Sequence, residues 1–202
     1  MAKDTRSRLL EAALTMFAQH GYAGTNIREL SASLGLGKSS LYRHFESKDE
    51  IWNAMLDEME RYYALHFGSP ENLPAVPRSA EELKALTLGM LRFTIYDEKI
   101  TMTRKILLTE QFRDERVRGI ATAHFNVGLE EMFTEIFRGM MENGALRQND
   151  AAMLAFAYTA PISSLVHLCD REPSRRGEVM EKIAGFIDHF ADTYGGEHEE
   201  TT

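Results

Sequence analysis

The stretch Gly35–Glu50, GLGKSSLYRHFESKDE, combines two glycines, small polar residues, three aromatic or imidazole rings and many charges. The two glycines interrupt the apolar periodicity of the chain, which predicts a tight turn. After the turn, Leu41 and Phe45 stand at the i, i+4 spacing of one helix face. The stretch therefore predicts a short helix over residues 38–45, with one apolar face and a polar remainder.

The residues before this turn have the pattern of two further helices. A first helix from Asp4 to Gly21 carries apolar residues at every third or fourth position, and Gly21 ends it as a left-handed cap. Thr25 is the predicted N-cap of a second short helix, Asn26 to Leu34. Two short helices joined by a glycine turn form a helix-turn-helix, whose second helix enters the major groove of DNA.

The polar side of the third helix has the chemistry of a DNA-contacting surface. Arg43 can form two hydrogen bonds with a guanine edge, and serine hydroxyls contact base edges or phosphate oxygens. Lys48 lies in the first turn of the next predicted helix, where free backbone amides favour a phosphate. A helical hairpin with a glycine turn can also be purely structural. The residues predicted to point outward are Lys38, Ser39, Ser40, Tyr42, Arg43 and His44. DNA binding is favoured because Tyr42, Arg43, His44 and Lys48 lie outside the face that Leu41 and Phe45 bury.

The net charge of −8 argues against binding to nucleic acid, but the charges are unevenly distributed along the chain. Residues 1–50 hold seven Lys or Arg and six acids, a balance of +1, whereas residues 51–202 have a balance of −9. DNA binding requires cations on one surface rather than a basic chain as a whole. The asymmetry predicts two functions on one chain.

The rest of the sequence predicts an all-α protein of about nine helices. Ser47–Glu50 and Ser79–Glu82 are capping boxes that open helices, and no segment has the period-two alternation of a strand. A long helix is predicted from Asp114 to Asn143. We expect a helix-turn-helix domain over 1–50, a helical effector-binding and dimerisation domain over 51–195, and a disordered acidic tail over 196–202.

Catalysis, metal binding and cofactors are not expected. Ser163, His167 and Asp170 lie on a regular helix without the strand-to-helix elbow that activates a nucleophile. His124 and His167 are not at the i, i+4 spacing of a helical metal site. A single cysteine, Cys169, and the lack of an apolar leader or membrane span indicate a cytoplasmic protein.

The N-terminal 67 residues resemble the DNA-binding domain of the tetracycline-repressor (TetR) family. The resemblance rests on nine positions in register: Phe17, Gly21, Thr25, Gly35, Leu41, Tyr42, His44, Phe45 and Lys48. It implies that Thr25 and Arg28 lie near phosphates and that Tyr42 and Lys48 contact the DNA backbone. Residues 38–40, Arg43 and His44 would then face bases. Ser31, Gly37 and Ser39 depart from the usual family residues, so the operator sequence is not predicted.

The same resemblance implies a homodimer and a ligand-responsive repressor. Family members pair through their last two helices, although interior packing is the alternative interpretation of these residues. The interface candidates are Ala155, Phe156, Ile162, Val166, Ile183, Phe186, Ile187 and Phe190.

The middle helices would bind a small, largely apolar effector. The candidates for that site are Met90, Phe93, Tyr96, Met102, Phe112, His124, Phe125 and Tyr158. The alternatives are control of the DNA-binding regulator by a protein partner, and an enzyme or ligand carrier with a vestigial DNA-binding domain.

Overall fold

The computed structural model describes residues 5–67 and 73–196 of the chain. The described residues form ten α-helices and one 3-10 turn, with no strand among them. Asp4, the start of the Gly68–Ser79 connection and the acidic tail after Gly196 lie outside the described residues. The helices are α1 (Thr5–Gly24), α2 (Ile27–Ser33), α3 (Lys38–Leu41), α4 (Lys48–Phe67), α5 (Ala80–Tyr96), α6 (Glu98–Glu110), α7 (Glu115–Phe125), α8 (Val127–Glu142), α9 (Ala151–Arg171) and α10 (Arg176–Tyr194).

The chain divides into two compact units whose limits differ from the expected domain limits. Unit 1 contains residues 1–66 and 98–121, and unit 2 contains residues 67–97 and 122–202. The expected boundary at Glu50 does not coincide with this division, because α4 and α6 pack in the same unit as the helix-turn-helix. Neither helix carries a local sequence signal for such packing.

Gly21 interrupts α1 with a backbone conformation available only to glycine. Its φ of 69° and ψ of 176° lie in a region that other residues almost never occupy. The amide of Tyr22 leaves the helical pattern there and donates a 3.1 Å hydrogen bond to Oε1 of Glu110. Glu110 is only 4% exposed, so α6 supplies a buried acceptor to the break in α1. The predicted stop at Gly21 is confirmed as a break within a helix that continues to Gly24.

The caps of the short helices agree with the sequence in part. Thr25 is not the N-cap of α2, because its hydroxyl donates to the carbonyl of Gly21 at 2.8 Å. Asn26 caps α2 instead and accepts from the Arg28 amide at 2.9 Å. Gly35, with φ of 67°, ends α2 in a Schellman motif, since Leu36 donates to Ser31 and Gly35 to Ala32, both at 2.9 Å.

The hydroxyls of the two predicted capping boxes accept as expected. Ser47 accepts from the Glu50 amide at 3.1 Å, and Ser79 accepts from the Glu82 amide at 3.2 Å. Each glutamate accepts from the amide of the residue before the serine, Glu46 or Arg78. The N-terminus of each helix is therefore stabilised by one serine and one glutamate side chain.

The predicted helix Asp114–Asn143 was wrong, because the structure contains two helices there. Asn126, with φ of −134° and ψ of −91°, separates α7 from α8. The chain turns so tightly that a Cβ on Gly128 would lie 2.5 Å from the carbonyl oxygen of Ala123. Similarly, α3 ends at Leu41 rather than Phe45, and residues 42–44 continue as a turn in which the His44 amide donates to Leu41 at 2.9 Å.

An aromatic cluster around Tyr158 fills the core of unit 2. Its ring centre lies 4.8–5.7 Å from the ring centres of four phenylalanines, on α8 and α10: Phe133, Phe137, Phe186 and Phe190. The fully buried hydroxyl of Tyr158 shares a 2.8 Å hydrogen bond with Thr87 of α5. Burial raises the pKa of this hydroxyl well above its usual range, so it remains neutral and bonded. The ring cluster thus connects α5, α8, α9 and α10.

Replacing Gly21 or Gly35 by alanine shows how much unfolding free energy each glycine conformation contributes. We expect Gly35→Ala to cost about 1 kcal/mol of unfolding free energy, because its φ is unfavourable but the space for a Cβ is empty. Gly21→Ala should cost about 2–4 kcal/mol, because its Cβ would also lie 2.6 Å from Glu110 Oε1. Urea unfolding followed by the fluorescence of Trp52, the single tryptophan of the chain, measures both. Equal losses in the two variants would contradict the role of Glu110.

Candidate nucleic-acid interface

The segment after the glycine turn has a buried apolar side and an accessible polar side. Leu41 and Phe45 are 0% and 1% exposed, and they pack in the core of unit 1 together with Leu30 of α2. The guanidinium of Arg6 lies over the Phe45 ring at 5.1 Å. These two apolar anchors determine which side of the segment faces outward.

Three of the predicted polar contacts are exposed on that outward side, and the side chain of a fourth, Lys38, lies outside the described ones. Ser39, Tyr42 and Arg43 are exposed, with Tyr42 at 42%, while Ser40 and His44 are half-buried. Arg43 donates a 3.1 Å hydrogen bond to the Ser40 hydroxyl, which orients its guanidinium along the helix. The segment therefore offers hydroxyls, a phenol, an imidazole and a guanidinium on one surface.

Lys48, the first residue of α4, lies at the edge of this surface. Its Nζ is 4.4 Å from the ring centre of Tyr22, and the Tyr22 hydroxyl donates to Asp49. Burial, and secondly the hydrogen bond to Asp49, raise the pKa of Tyr22 to about 12, so the ring remains neutral beneath the ammonium group. The side chain of Lys48 is thus positioned by an aromatic face rather than by an acidic partner.

Two predicted contacts of α2 differ in accessibility. Arg28 is exposed in the first turn of α2 and can reach a phosphate. Thr25 is 4% exposed and its hydroxyl already donates to Gly21, so its side chain has a structural role in place of the predicted phosphate contact.

Three charged or aromatic residues that sequence reasoning missed hold α4 in place within unit 1. The Trp52 indole donates to Asp114 at 2.8 Å and packs edge-on against Phe17 at 4.9 Å. Asp114 also accepts from the amides that begin α7. Arg116 binds Asp57 at 2.5 Å and Glu60 at 2.7 Å. No local pattern pairs residues about 60 positions apart, which explains why the sequence does not reveal them.

The predicted effector residues occupy several different environments. Met90, Phe93, His124 and Phe125 are half-buried in unit 2, where the Phe125 ring meets His167 at 5.3 Å. Met102 is half-buried in unit 1. Tyr96 is 51% exposed and lines an open groove of about 380 Å³ with Arg92 and Met180.

Two of the predicted effector residues do not fit an effector pocket. Phe112 is 87% exposed, so it lies on the surface. Tyr158 is enclosed by four rings and its hydroxyl is bonded to Thr87, so it lies inside a filled core. An aromatic side chain in a helical pattern does not by itself indicate whether it faces solvent, core or cavity.

Most of the predicted dimer residues lie inside the core of their own chain. The members that are 0–7% exposed are Ala155, Ile162, Val166, Ile183, Ile187 and Phe190. Phe186 is half-buried, and only Phe156 is exposed, at 54%. The buried members have no surface to offer a partner, and those on α9 lie on the face opposite to its exposed apolar side.

That exposed side of α9 is here named the α9 stripe. Its members follow the i, i+3, i+4 spacing of one helix face and are Met153, Phe156, Ala157, Ala160, Pro161 and Ser164. By length and composition α9 is apolar enough to cross a membrane, but a single helix of this kind is weak evidence for one. Of its most apolar 18-residue window, 39% is buried within the chain. Apolar surface of this extent commonly marks an interaction site.

Within residues 5–67 and 73–196, no three His, Cys, Asp or Glu side chains lie together in a way that could hold a metal ion. The exposed side chains Ser39, Tyr42, Arg43 and Arg28 form a polar and cationic surface. A helix-turn-helix with this surface, followed by a larger helical body, defines a DNA-binding transcriptional regulator.

Comparisons with known proteins agree with this class. Residues 9–55 match the family described as bacterial regulatory proteins, tetR family. The chain is 26% identical over 161 residues to the HTH-type transcriptional repressor KstR2 of Rhodococcus jostii, covering 76% of this chain and 73% of KstR2. It is 23% identical over 171 residues to the HTH-type transcriptional regulator TtgR of Pseudomonas putida, covering 78% and 77%.

Solved structures share the fold along nearly the whole chain. SmeT, the repressor of the Stenotrophomonas maltophilia multidrug efflux pump SmeDEF, matches with a TM-score of 0.66 at 19% identity, over 96% of this chain and 92% of SmeT. A transcriptional regulator of Saccharomonospora viridis in complex with choline matches with a TM-score of 0.69 at 18% identity, over 96% and 98%. The N-terminal resemblance to the TetR family is confirmed by the match over residues 9–55, and along most of its length the chain is similar to transcriptional regulators of that family.

Proposed function

We propose that this regulator represses transcription as a homodimer that binds a pseudo-palindromic operator and is released by a small, largely apolar effector. The observation that carries the proposal is the burial of Leu41 and Phe45, which leaves the polar side of the segment between them accessible. Repression is supported by relatives that are named repressors, KstR2 and SmeT. A soluble cytoplasmic location follows from a function on DNA.

The contacts are divided between bases and phosphates by position. Ser39, Ser40, Arg43 and His44 face base edges in the major groove, whereas the predicted contact of Lys38 falls on a side chain outside the described ones. Arg28, Tyr42 and Lys48 contact the sugar-phosphate backbone, where the first turn of α4 adds its free amides to the charge of Lys48. Backbone contacts contribute affinity and bring the base-facing residues into register.

Substitutions at Arg43 and Lys48 test this division. Lys48→Ala should weaken binding to all sequences alike and reduce the slope of log K against log salt by about 1, because one phosphate contact is lost. Arg43→Ala should reduce discrimination at one base pair by about 1–3 kcal/mol. Duplexes selected from a random pool, followed by fluorescence anisotropy at several salt concentrations, measure both effects.

The control for these variants is Lys182→Ala, which removes an exposed lysine from α10 in unit 2. It should leave both base preference and salt slope unchanged. Equal effects of the Arg43 and Lys48 substitutions on base preference would contradict the division between base and phosphate contacts.

Dimerisation is supported by geometry and by surface composition. A two-fold operator presents half-sites about 34–36 Å apart, which a symmetric pair of helix-turn-helix domains can match. The α9 stripe provides an apolar surface with small residues that allow a second helix to approach closely. We place the subunit contact on this stripe rather than on the buried face of α9.

Phe156→Glu tests the subunit contact. A carboxylate at the centre of an apolar two-fold interface should be desolvated in both subunits, which shifts the protein to monomers at micromolar concentration. The matched control is Phe112→Glu, since Phe112 is an exposed phenylalanine outside the α9 stripe. Sedimentation velocity measures the oligomeric state. A Phe156→Glu protein that sediments as the unaltered protein does would exclude the stripe as the interface.

Effector release follows from linkage between two binding equilibria. An effector of this kind binds more tightly to a dimer conformation in which the two helix-turn-helix domains are not spaced to match the operator half-sites. The difference between its binding free energies for the two conformations is the free energy by which it weakens DNA binding, ordinarily about 1–3 kcal/mol. The half-buried residues of unit 2, Met90, Phe93, His124 and Phe125, offer the soft and aromatic surface that such a ligand prefers. Phe112 and Tyr158 are left out of this set because of their exposure and packing.

The effector proposal is tested by displacement of a labelled operator with a panel of apolar small molecules. For a molecule that releases DNA, Phe93→Ala should raise the concentration needed at least about tenfold, because apolar contact area is lost. Phe112→Ala should leave that concentration unchanged. An equal response of the two variants, or release by none of the molecules, would favour control by a protein partner.

A further inference from the structure

Helices α5 and α10 pack along each other in unit 2, and their line of contact is here named the α5–α10 seam. An ion pair lies at one end of this seam, and two arginines without acidic partners in the described part of the chain lie at the other. Toward the end where α5 begins and α10 finishes, Lys84 of α5 binds Asp188 of α10 with distances of 2.6 and 2.7 Å. At the end where α5 finishes and α10 begins, Arg92 and Arg176 form no ion pair with any of the described residues.

The acids nearest to Arg176 along the chain are already engaged by a different arginine. Arg175 binds Glu178 at 2.6 Å and lies 3.8 Å from Glu172. The adjacent Arg176 instead places its guanidinium 5.7 Å from the ring centre of Tyr96. Its Nε is buried and has no hydrogen-bond acceptor among the described residues. A buried donor without an acceptor is costly, and an added oxygen acceptor would remove that cost.

These groups converge on a groove that has room for a ligand. The groove of about 380 Å³ is lined by Arg92, Tyr96 and Met180, and Arg176 stacks on the same tyrosine ring. A guanidinium can bind a carboxylate through two parallel hydrogen bonds. The tyrosine ring and the methionine thioether offer an adaptable surface to an apolar body.

We propose that the end of the α5–α10 seam is a binding site for an amphipathic organic carboxylate. Arg92 and Arg176 bind the carboxylate, and Tyr96 and Met180 contact its apolar part. The inference does not depend on DNA binding or on the subunit contact. It requires a negatively charged group on the ligand, whereas the predicted effector residues are largely apolar and imply no such group.

A matched pair of probes tests the charge requirement on the full chain without DNA. Isothermal titration calorimetry with 4-phenylbutyrate should show binding, and 4-phenylbutan-1-ol should bind at least about tenfold more weakly, since the alcohol lacks the carboxylate. Equal binding of acid and alcohol, or no binding of the acid at millimolar concentration, would overturn the proposal.

Substitutions locate the site. Arg92→Gln and Arg176→Gln should each weaken binding of 4-phenylbutyrate by about tenfold or more. Lys182→Gln removes the same charge from an exposed position on α10 and should have no effect. Arg92 is exposed, so its variant retains the fold and remains informative if the Arg176 variant is unstable. If Arg92→Gln binds 4-phenylbutyrate with unchanged affinity, the groove is excluded as the carboxylate site. Operator binding is measured separately and tests only the proposed repressor function.

Discussion

The burial of Leu41 and Phe45 is the constraint on which the DNA-binding surface depends. α3 is a single turn, too short to be stable by its own hydrogen bonds. Its position is determined by two apolar side chains that enter the core of unit 1. Because the two anchors are four residues apart, the residues between and around them must point elsewhere. The polar surface is therefore a consequence of packing, and it would be lost together with the anchors.

The helix-turn-helix is not supported by its own core alone. Glu110 of α6 accepts a hydrogen bond at the break in α1, and Asp114 accepts one from Trp52 of α4. Both acceptors come from a part of the chain far along the sequence, yet they lie in the same compact unit as the DNA-binding residues. A carboxylate that binds backbone or indole donors imposes direction as well as distance. Unit 1 is thereby a single packed body in which a shift of α6 would be felt at α1.

Charge has a different role in each part of the molecule. In unit 1, the ammonium group of Lys48 lies over the ring of Tyr22, 4.4 Å from its centre. Such a contact positions an ammonium group without neutralising it, which leaves its charge available to a phosphate. In unit 2 several exposed cations are paired with acids on the surface, Lys84 with Asp188, Arg138 with Glu135 and Arg175 with Glu178, and exposed pairs of this kind add little stability. Arg92 and Arg176, at the end of the α5–α10 seam, have no such pair among the described residues.

The sequence alone determined the helical class, the turn at Gly35, the caps at Ser47 and Ser79, and the side of the recognition segment that faces outward. These features depend on local spacing and on backbone conformations that few residues can adopt, so they are written in neighbouring positions. Only the tertiary structure decided that Thr25 is buried, that Asn126 divides a long helix, that Tyr158 is core and Phe112 surface, and which side of α9 is exposed. An apolar helical pattern specifies a buried face but not its neighbours, and contacts between residues tens of positions apart depend on packing that no local pattern records.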